Sequence, residues 1–194
     1  MAFIFPNSSD ELRKATSNLK AQSWDPQFVN NASGASLTSG TINYIGMYLK
    51  EPGIISGCYI PLGNIASYTP NNKNRVGLYV SDGTTLTLVA SCADTPTLWI
   101  AATGTLLNVA YSSPYNAPIG MYYVAYLWNS SATTTAPNVN RMTFSGALVN
   151  VGKVGNDFKN GVQSGQTDLP ATQAISGIAN GGGSGQVAFW AGIY

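Results

Sequence analysis

The sequence predicts an all-β protein, an antiparallel, jelly-roll-like β-sandwich of about eight strands behind a short N-terminal helix or arm. Three observations carry that reading. Short apolar runs recur from residue 41 to residue 193, bounded by Gly, Pro, Asn, Asp and Ser. No helical periodicity separates them, so the crossover helices that a parallel sheet needs are missing. The run Ser81-Asp82-Gly83-Thr84 stands between VGLYV and TLTLVAS. That is a hairpin signature, with an Asp-Gly turn needing positive φ.

In chain order, a helix is expected first. Ser9 can cap it, Asp10 and Glu11 suit its first turn, and Leu12, Ala15 and Leu19 recur at helical spacing. Lys20 sits near its end, where a cation suits the helix dipole, and Trp24-Asp25-Pro26 stops it. The apolar stripe is thin, so the helix must dock on its own domain or on another protein. Residues 30–40, NNASGASLTSG, read as a linker by composition. Residues 1–37 are thus expected to be an anchoring segment and residues 38–194 the sandwich. Strands are expected at 41–49, 54–62, 75–81, 85–91, 106–111 and 121–128. A seventh at 141–154 is interrupted by Gly146 and Gly152, and an eighth at 186–193 closes the chain. Long turns are expected at 68–74, 94–104, 129–138 and 177–185.

Composition narrows the function. The chain has 194 residues, of which 9% are charged, against a usual quarter or so. Nine Lys and Arg oppose eight Asp and Glu, and there is no histidine. A Ser-His-Asp or Cys-His machine and any His-ligated zinc or haem are excluded. So few cations at a net charge of +1 argue against nucleic acid. The apolar fraction is 44%, with 11 Tyr, 6 Phe and 4 Trp, enough to bury a core at this length. The two cysteines, Cys58 and Cys92, lie in strand-like runs and read as buried thiols rather than a bridge or a metal cluster. Met1 to Pro6 holds only Phe3, Ile4 and Phe5 as large apolar residues, far short of a signal-peptide core. No run approaches the ~18–20 apolar residues of a membrane span. The expectation is a chain made in a host cytoplasm without standard export, yet with the uncharged polar surface of an extracellular protein. A virus particle reconciles the two, with no membrane insertion.

Enzyme chemistry finds little footing, and no cofactor or metal is expected. Glycan hydrolysis usually needs two carboxylates facing each other across ~5–9 Å. Glu51, Asp82, Asp94, Asp157 and Asp168 each sit in a turn-like context. Gly181 to Gly185 is glycine-rich but lacks the lysine and helix of a phosphate loop. Asn156 and Asp157 could hold calcium only weakly.

The aromatics remain. Along 121–128, Tyr122, Tyr126 and Trp128 face one way and Met121, Tyr123 and Leu127 the other. Such a strand is central in a sandwich or covered by a neighbouring subunit. Tyr68, Trp99 and Tyr115 fall in or near expected loops, which makes them the candidates for stacking on sugar.

Five runs occur in order: SGTINYIGMYLKEPGIISGCYIPLG, RVGLYVSDGTTLTLVASCAD, PIGMYYVAYLWN, GQTDLPATQAIS and AFWAGIY. Over roughly residues 38–194 this pattern resembles a family of tailed-bacteriophage virion proteins. The resemblance implies a β-sandwich module exposed on a tail fibre, minor tail protein or head fibre, often homotrimeric and not an enzyme. With only residues 1–37 ahead of the sandwich, that segment is expected to dock the module to the particle. Its sticky residues are Phe3, Ile4, Phe5, Leu12, Leu19 and Trp24. Expected partners are further copies of the chain, other virion proteins and host surface glycan. A capsid decoration or head-tail component without ligand, and a free carbohydrate-binding module, are the two other readings.

Overall fold

The computed structural model describes residues 18–24, 30–100, 105–143, 158–180 and 187–194. Sixteen strands run through them. In chain order they are β1 (Ala21–Gln22), β2 (Asn30–Ser36), β3 (Thr41–Leu49), β4 (Gly53–Pro61), β5 (Ser67–Pro70), β6 (Arg75–Ser81), β7 (Thr85–Ser91) and β8 (Leu106–Ala117). Then follow β9 (Gly120–Trp128), β10 (Ser130–Thr135), β11 (Asn138–Thr143), β12 (Asn160–Gln163), β13 (Thr172–Ala174), β14 (Ala179–Asn180), β15 (Val187–Phe189) and β16 (Gly192–Ile193). Every strand pairing among the described residues is antiparallel.

A seven-stranded sheet, in the order β13-β7-β6-β9-β3-β12-β14, forms the middle of the molecule. Its spine is β3 against β9, paired without a slip from Thr41↔Trp128 to Leu49↔Gly120. One face packs on a four-stranded sheet ordered β1-β16-β4-β8. Ile45, Met47, Val76, Leu78, Tyr122, Val124 and Tyr126 meet Ile55, Cys58, Ile60, Val109, Tyr111 and Ile193 there, all buried. The other face buries Ile42, Tyr44, Tyr79, Tyr123, Ala125 and Leu127 under Phe158, Leu169 and Ile175. The chain therefore covers both faces of β9 itself, which settles the choice posed by its sequence. A three-stranded sheet, β15-β11-β2, closes the side of the first core with Val139 and Phe189, and β10 and β5 form a separate pair.

Buried tyrosine is best tolerated where its hydroxyl finds a partner, and five of the six core tyrosines among the described residues have one, Tyr111 being the exception. Tyr44 donates to Gln163 Oε1 at 3.0 Å, Tyr79 to Pro170 O at 2.7 Å, Tyr122 to Pro118 O at 2.9 Å and Tyr126 to Trp190 O at 2.7 Å. The Tyr123 hydroxyl accepts from the Phe158 N–H at 3.0 Å. The core tyrosines thus tie the sheets to the segments around them.

The β6–β7 hairpin turns where expected. Gly83 has φ +89°, and Asp82 Oδ1 accepts from Thr84 N at 2.8 Å, Thr85 N at 2.7 Å and Thr84 Oγ1 at 2.8 Å.

Other expectations change. Sixteen strands replace eight because many are two to four residues long and exist only through remote partners. Residues 9–17 of the expected helix lie outside the described residues. Its expected end is not helical: Asn18 has φ +56° and Ala21–Gln22 is a strand. There Lys20 N donates to Ile193 O at 2.7 Å and Ser23 N to Ala191 O at 2.9 Å, so the backbone joins the last strands instead of a helical ladder. The stretch read as a linker holds β2, whose small residues lie along β11. The turns expected at 68–74 and 129–138 contain parts of β5 and β10, which pair with each other. The strand expected at 106–111 continues to Ala117, and the last one breaks at Trp190 and Ala191. Of the strand expected at 141–154, β11 holds the start, and residues 144–154 lie outside the described residues.

Candidate functional site

The three aromatic candidates do not form one surface. Trp99 is fully buried: its ring meets Tyr126 edge-on at 5.8 Å and its Nε1–H donates to Leu127 O at 3.1 Å. The turn signals around it are real, since Leu98 N bonds Thr95 O and Ile100 N bonds Thr97 O. Those turns fold the indole inward, so Trp99 is a core residue and not a stacking platform. Tyr68 lies on β5, half-buried, with its ring edge-on to Trp128 at 5.6 Å and its hydroxyl donating to Pro96 O at 2.8 Å. Tyr115 lies on β8 opposite Ile55, 6.4 Å from the ring of Tyr122, toward the other end of β9.

Of the expected docking residues, Phe3, Ile4, Phe5 and Leu12 lie outside the described residues. Leu19 is buried against Gly192. The Trp24 indole donates to Phe189 O at 3.0 Å, while Trp190 donates to Trp24 O at 2.9 Å. Leu19 and Trp24 thus pack on the chain's own last strands.

The carboxylates of two turns act as ties. Asp94 accepts from Asn74 N at 2.9 Å and from Lys73 Nζ at 3.2 Å. Asp168 accepts from Arg75 Nη1 at 3.1 and 3.3 Å and from Leu169 N at 2.7 Å, and Arg75 Nη2 donates to Ser91 Oγ. Between them, Asn74 and Asn129 exchange bonds: Asn129 N to Asn74 Oδ1 at 3.0 Å, Asn74 Nδ2 to Asn129 O at 3.1 Å. These polar groups fasten one end of the sandwich, where loops from four parts of the chain meet. Among the described residues no group of three or more Cys, Asp or Glu is arranged to hold a metal, and Asn156 and Asp157 lie outside them. Cys58 and Cys92 are free and buried in the first core. Burial pushes both thiols up, which keeps them protonated and poorly nucleophilic at neutral pH.

An aromatic surface lies elsewhere, on the outer face of the four-stranded sheet. Cys58 and Ile60 of β4 point into the core, so Tyr59 points out. It stands opposite Asn108 of β8 on one side and Gly192 of β16 on the other. Beyond β16, Tyr194 continues the pairing: Ser56 N donates to Tyr194 O at 2.7 Å and Tyr194 N to Gly57 O at 3.2 Å. Its ring reaches across Gly57 so that its hydroxyl donates to Asn108 Oδ1. Gly57 is required here, because a Cβ would stand 2.6 Å from Tyr194 Cζ. The Tyr59 and Tyr194 rings end 4.6 Å apart at 37°, both half-buried. Desolvation holds the Tyr194 phenol above its ordinary value, so it donates as a neutral hydroxyl. No Asp, Glu, Lys or Arg occurs in β1, β16, β4 or β8. The face is neutral, aromatic and amide-bearing, which suits an uncharged ligand with both apolar and hydroxyl surface.

Beside this site, β8 takes five residue steps, Ala110 to Tyr115, where β4 takes two, Gly57 to Ile55. The bulge holds Ser112 and Ser113, both exposed, shortly after Ala110 along β8, and Ala110 pairs with Gly57. The alternation of β4 was legible in the sequence. The arrival of Tyr194 over Gly57 was not, since it depends on pairing across more than half the chain.

Compared with known proteins, the sequence matches no family model and no curated protein.

Proposed function

We propose that the chain is a structural subunit of a tailed-bacteriophage particle, a small fibre or spike protein. It is displayed as a jelly-roll-like module and adheres to host surface glycan. One observation supports this reading above others: the runs that resemble the virion family fall together in space. The first four supply β3, β9, β6, β7 and β13, adjacent members of one sheet, and the fifth supplies β16, which pairs with β4. The likeness therefore concerns one folded unit and not scattered strings. The charge-poor outer sheet with its tyrosine pair fits an adhesive surface.

The expected homotrimer rests on the resemblance alone. Leftover aromatic faces on β9 do not supply a reason, because the chain covers both. A trimer would make a weak single site useful through avidity. Attachment to the particle is assigned to residues 1–17, since Leu19 and Trp24 are engaged within the chain.

Immunogold labelling of intact particles with an antibody to residues 38–194 tests the reading. Gold on tail or head fibres is the expected result. Gold spread evenly over the shell would replace adhesion with capsid decoration. Particles without gold would overturn the virion assignment and leave a free carbohydrate-binding module.

A further inference from the structure

We infer that the outer face of the four-stranded sheet binds neutral glycan, with a pyranose ring stacking on Tyr59 and Tyr194 beside the amide of Asn108. The inference rests on the adhesive reading above and gives it a site and a ligand class. The phenol end of Tyr194 passes over the bare Cα of Gly57, and its ring stays half-exposed. The Tyr59 ring packs against it, tilted by 37° with centroids 4.6 Å apart, and is also half-exposed, so the pair offers the ring surface that this packing leaves open. A sugar presents a patch of C–H groups that packs on such a π-face, with hydroxyls around its rim. Asn108 is exposed, its Oδ1 accepts from Tyr194, and its amide N–H groups make no hydrogen bond among the described residues. Ser112, Ser113 and Asn116 add exposed neutral donors and acceptors along β8.

Charge narrows the ligand. The four strands carry no Lys, Arg, Asp or Glu, and Lys20, exposed at the edge of β1, is a single bordering cation, so the face favours a neutral ligand over sialic or uronic acids or a basic partner. A second copy of the chain is the competing occupant. Its interface would want a continuous apolar centre. Here the exposed aliphatics, Ile54 at 61% and Leu106 at 54%, stand at opposite ends of the face. The middle holds Tyr59, Tyr194, Asn108 and the serines.

The test titrates the full chain, labelled on its tyrosine rings for NMR, with three neutral oligosaccharides (maltohexaose, cellohexaose and mannohexaose). Oligogalacturonate is the acidic control. At least one neutral probe is expected to shift the Tyr59 and Tyr194 ring signals, with affinity changing less than about twofold between about 50 and 500 mM salt. Tyr59→Ala and Tyr194→Ala should each weaken binding about tenfold or more, while Tyr59→Phe stays within about twofold. Tyr194→Phe keeps the ring and loses only the bond to Asn108, and thermal melts of all four variants check folding. The inference is overturned if no neutral probe moves these two signals, or if Tyr59→Ala binds as well as the parent chain. It is also overturned if the alanine variants lower the mass seen by light scattering, which would make the face an interface between copies. Gold-labelled particles with no sugar response would remove the site and keep the virion reading. Sugar binding by a chain missing from particles would do the reverse.

Discussion

Trp99 and Tyr194 show how little residue type says about role. Both are aromatics, yet one is fully buried and the other lies half-buried on an outer face. The difference lies in what each meets: Trp99 finds a backbone carbonyl inside, and Tyr194 finds a glycine surface to rest on. Trp99→Ala should cost about 3–5 kcal/mol and lower Tm by roughly 10 °C, with no direct contact to any surface ligand. A change of only a degree or two in a thermal melt would contradict its core placement. Asp82 tests a single turn. Hydrogen bonds from Thr85 N first, then from the Thr84 hydroxyl and N–H, hold its carboxyl below the ordinary 3.8. A depressed folded value means that the stabilisation is fully present above the unfolded pKa. It is lost as pH falls through the lower, folded one. Melts of the parent chain should therefore drop below about pH 4 more steeply than those of Asp82→Asn. Parallel pH profiles would remove the turn from the account.

At the scale of elements, the strands legible in the sequence are those that carry their own pattern. β3 and β6 begin and end where alternation and turn residues place them, at Thr41–Leu49 and Arg75–Ser81. β2 was not legible, because NNASGAS has the composition of a linker and becomes a strand only when β11 supplies a ladder. β10, SSATTT, is similar: exposed and polar, it is held by β5. The candidate site divides the same way. Outward Tyr59 follows from alternation, whereas its partner ring comes from a remote strand. One consequence concerns the boundary at residue 37. β1 pairs with β16 and β2 with β11, and Leu37 is buried in the first core. A chain lacking residues 1–37 should melt lower than one lacking only residues 1–17, because it loses both strands together with Leu19, Trp24 and Leu37. Equal melting temperatures would show that these additions contribute nothing.

At the scale of the whole molecule, the sheets are joined by very little chain. The segment 187–194 pairs β15 with β11 in one sheet and β16 with β1 and β4 in another. Between those strands, Trp190 O accepts the buried hydroxyl of Tyr126 at 2.7 Å, and Trp190 Nε1 reaches Trp24. Phe189, Ala191 and Ile193 fill the first core. Removing this segment would expose the edges of β4 and β11, leave the Tyr126 hydroxyl buried without its acceptor and open the core between the two main sheets. Each loss is of the size that single core changes produce, and together they approach the whole stability of a typical domain, about 5–15 kcal/mol. A chain ending at residue 186 should therefore lose cooperative unfolding, whereas Tyr194→Ala should keep it, since that variant removes only a ring from the outer face. Near-UV circular dichroism during a thermal melt separates the two. A sharp transition in the shortened chain would mean that the seven-stranded sheet folds by itself and that the last strands merely decorate it. If the transition is lost, the sandwich needs the same segment that places Tyr194 beside Tyr59, and folding and the proposed sugar face depend on one set of pairings.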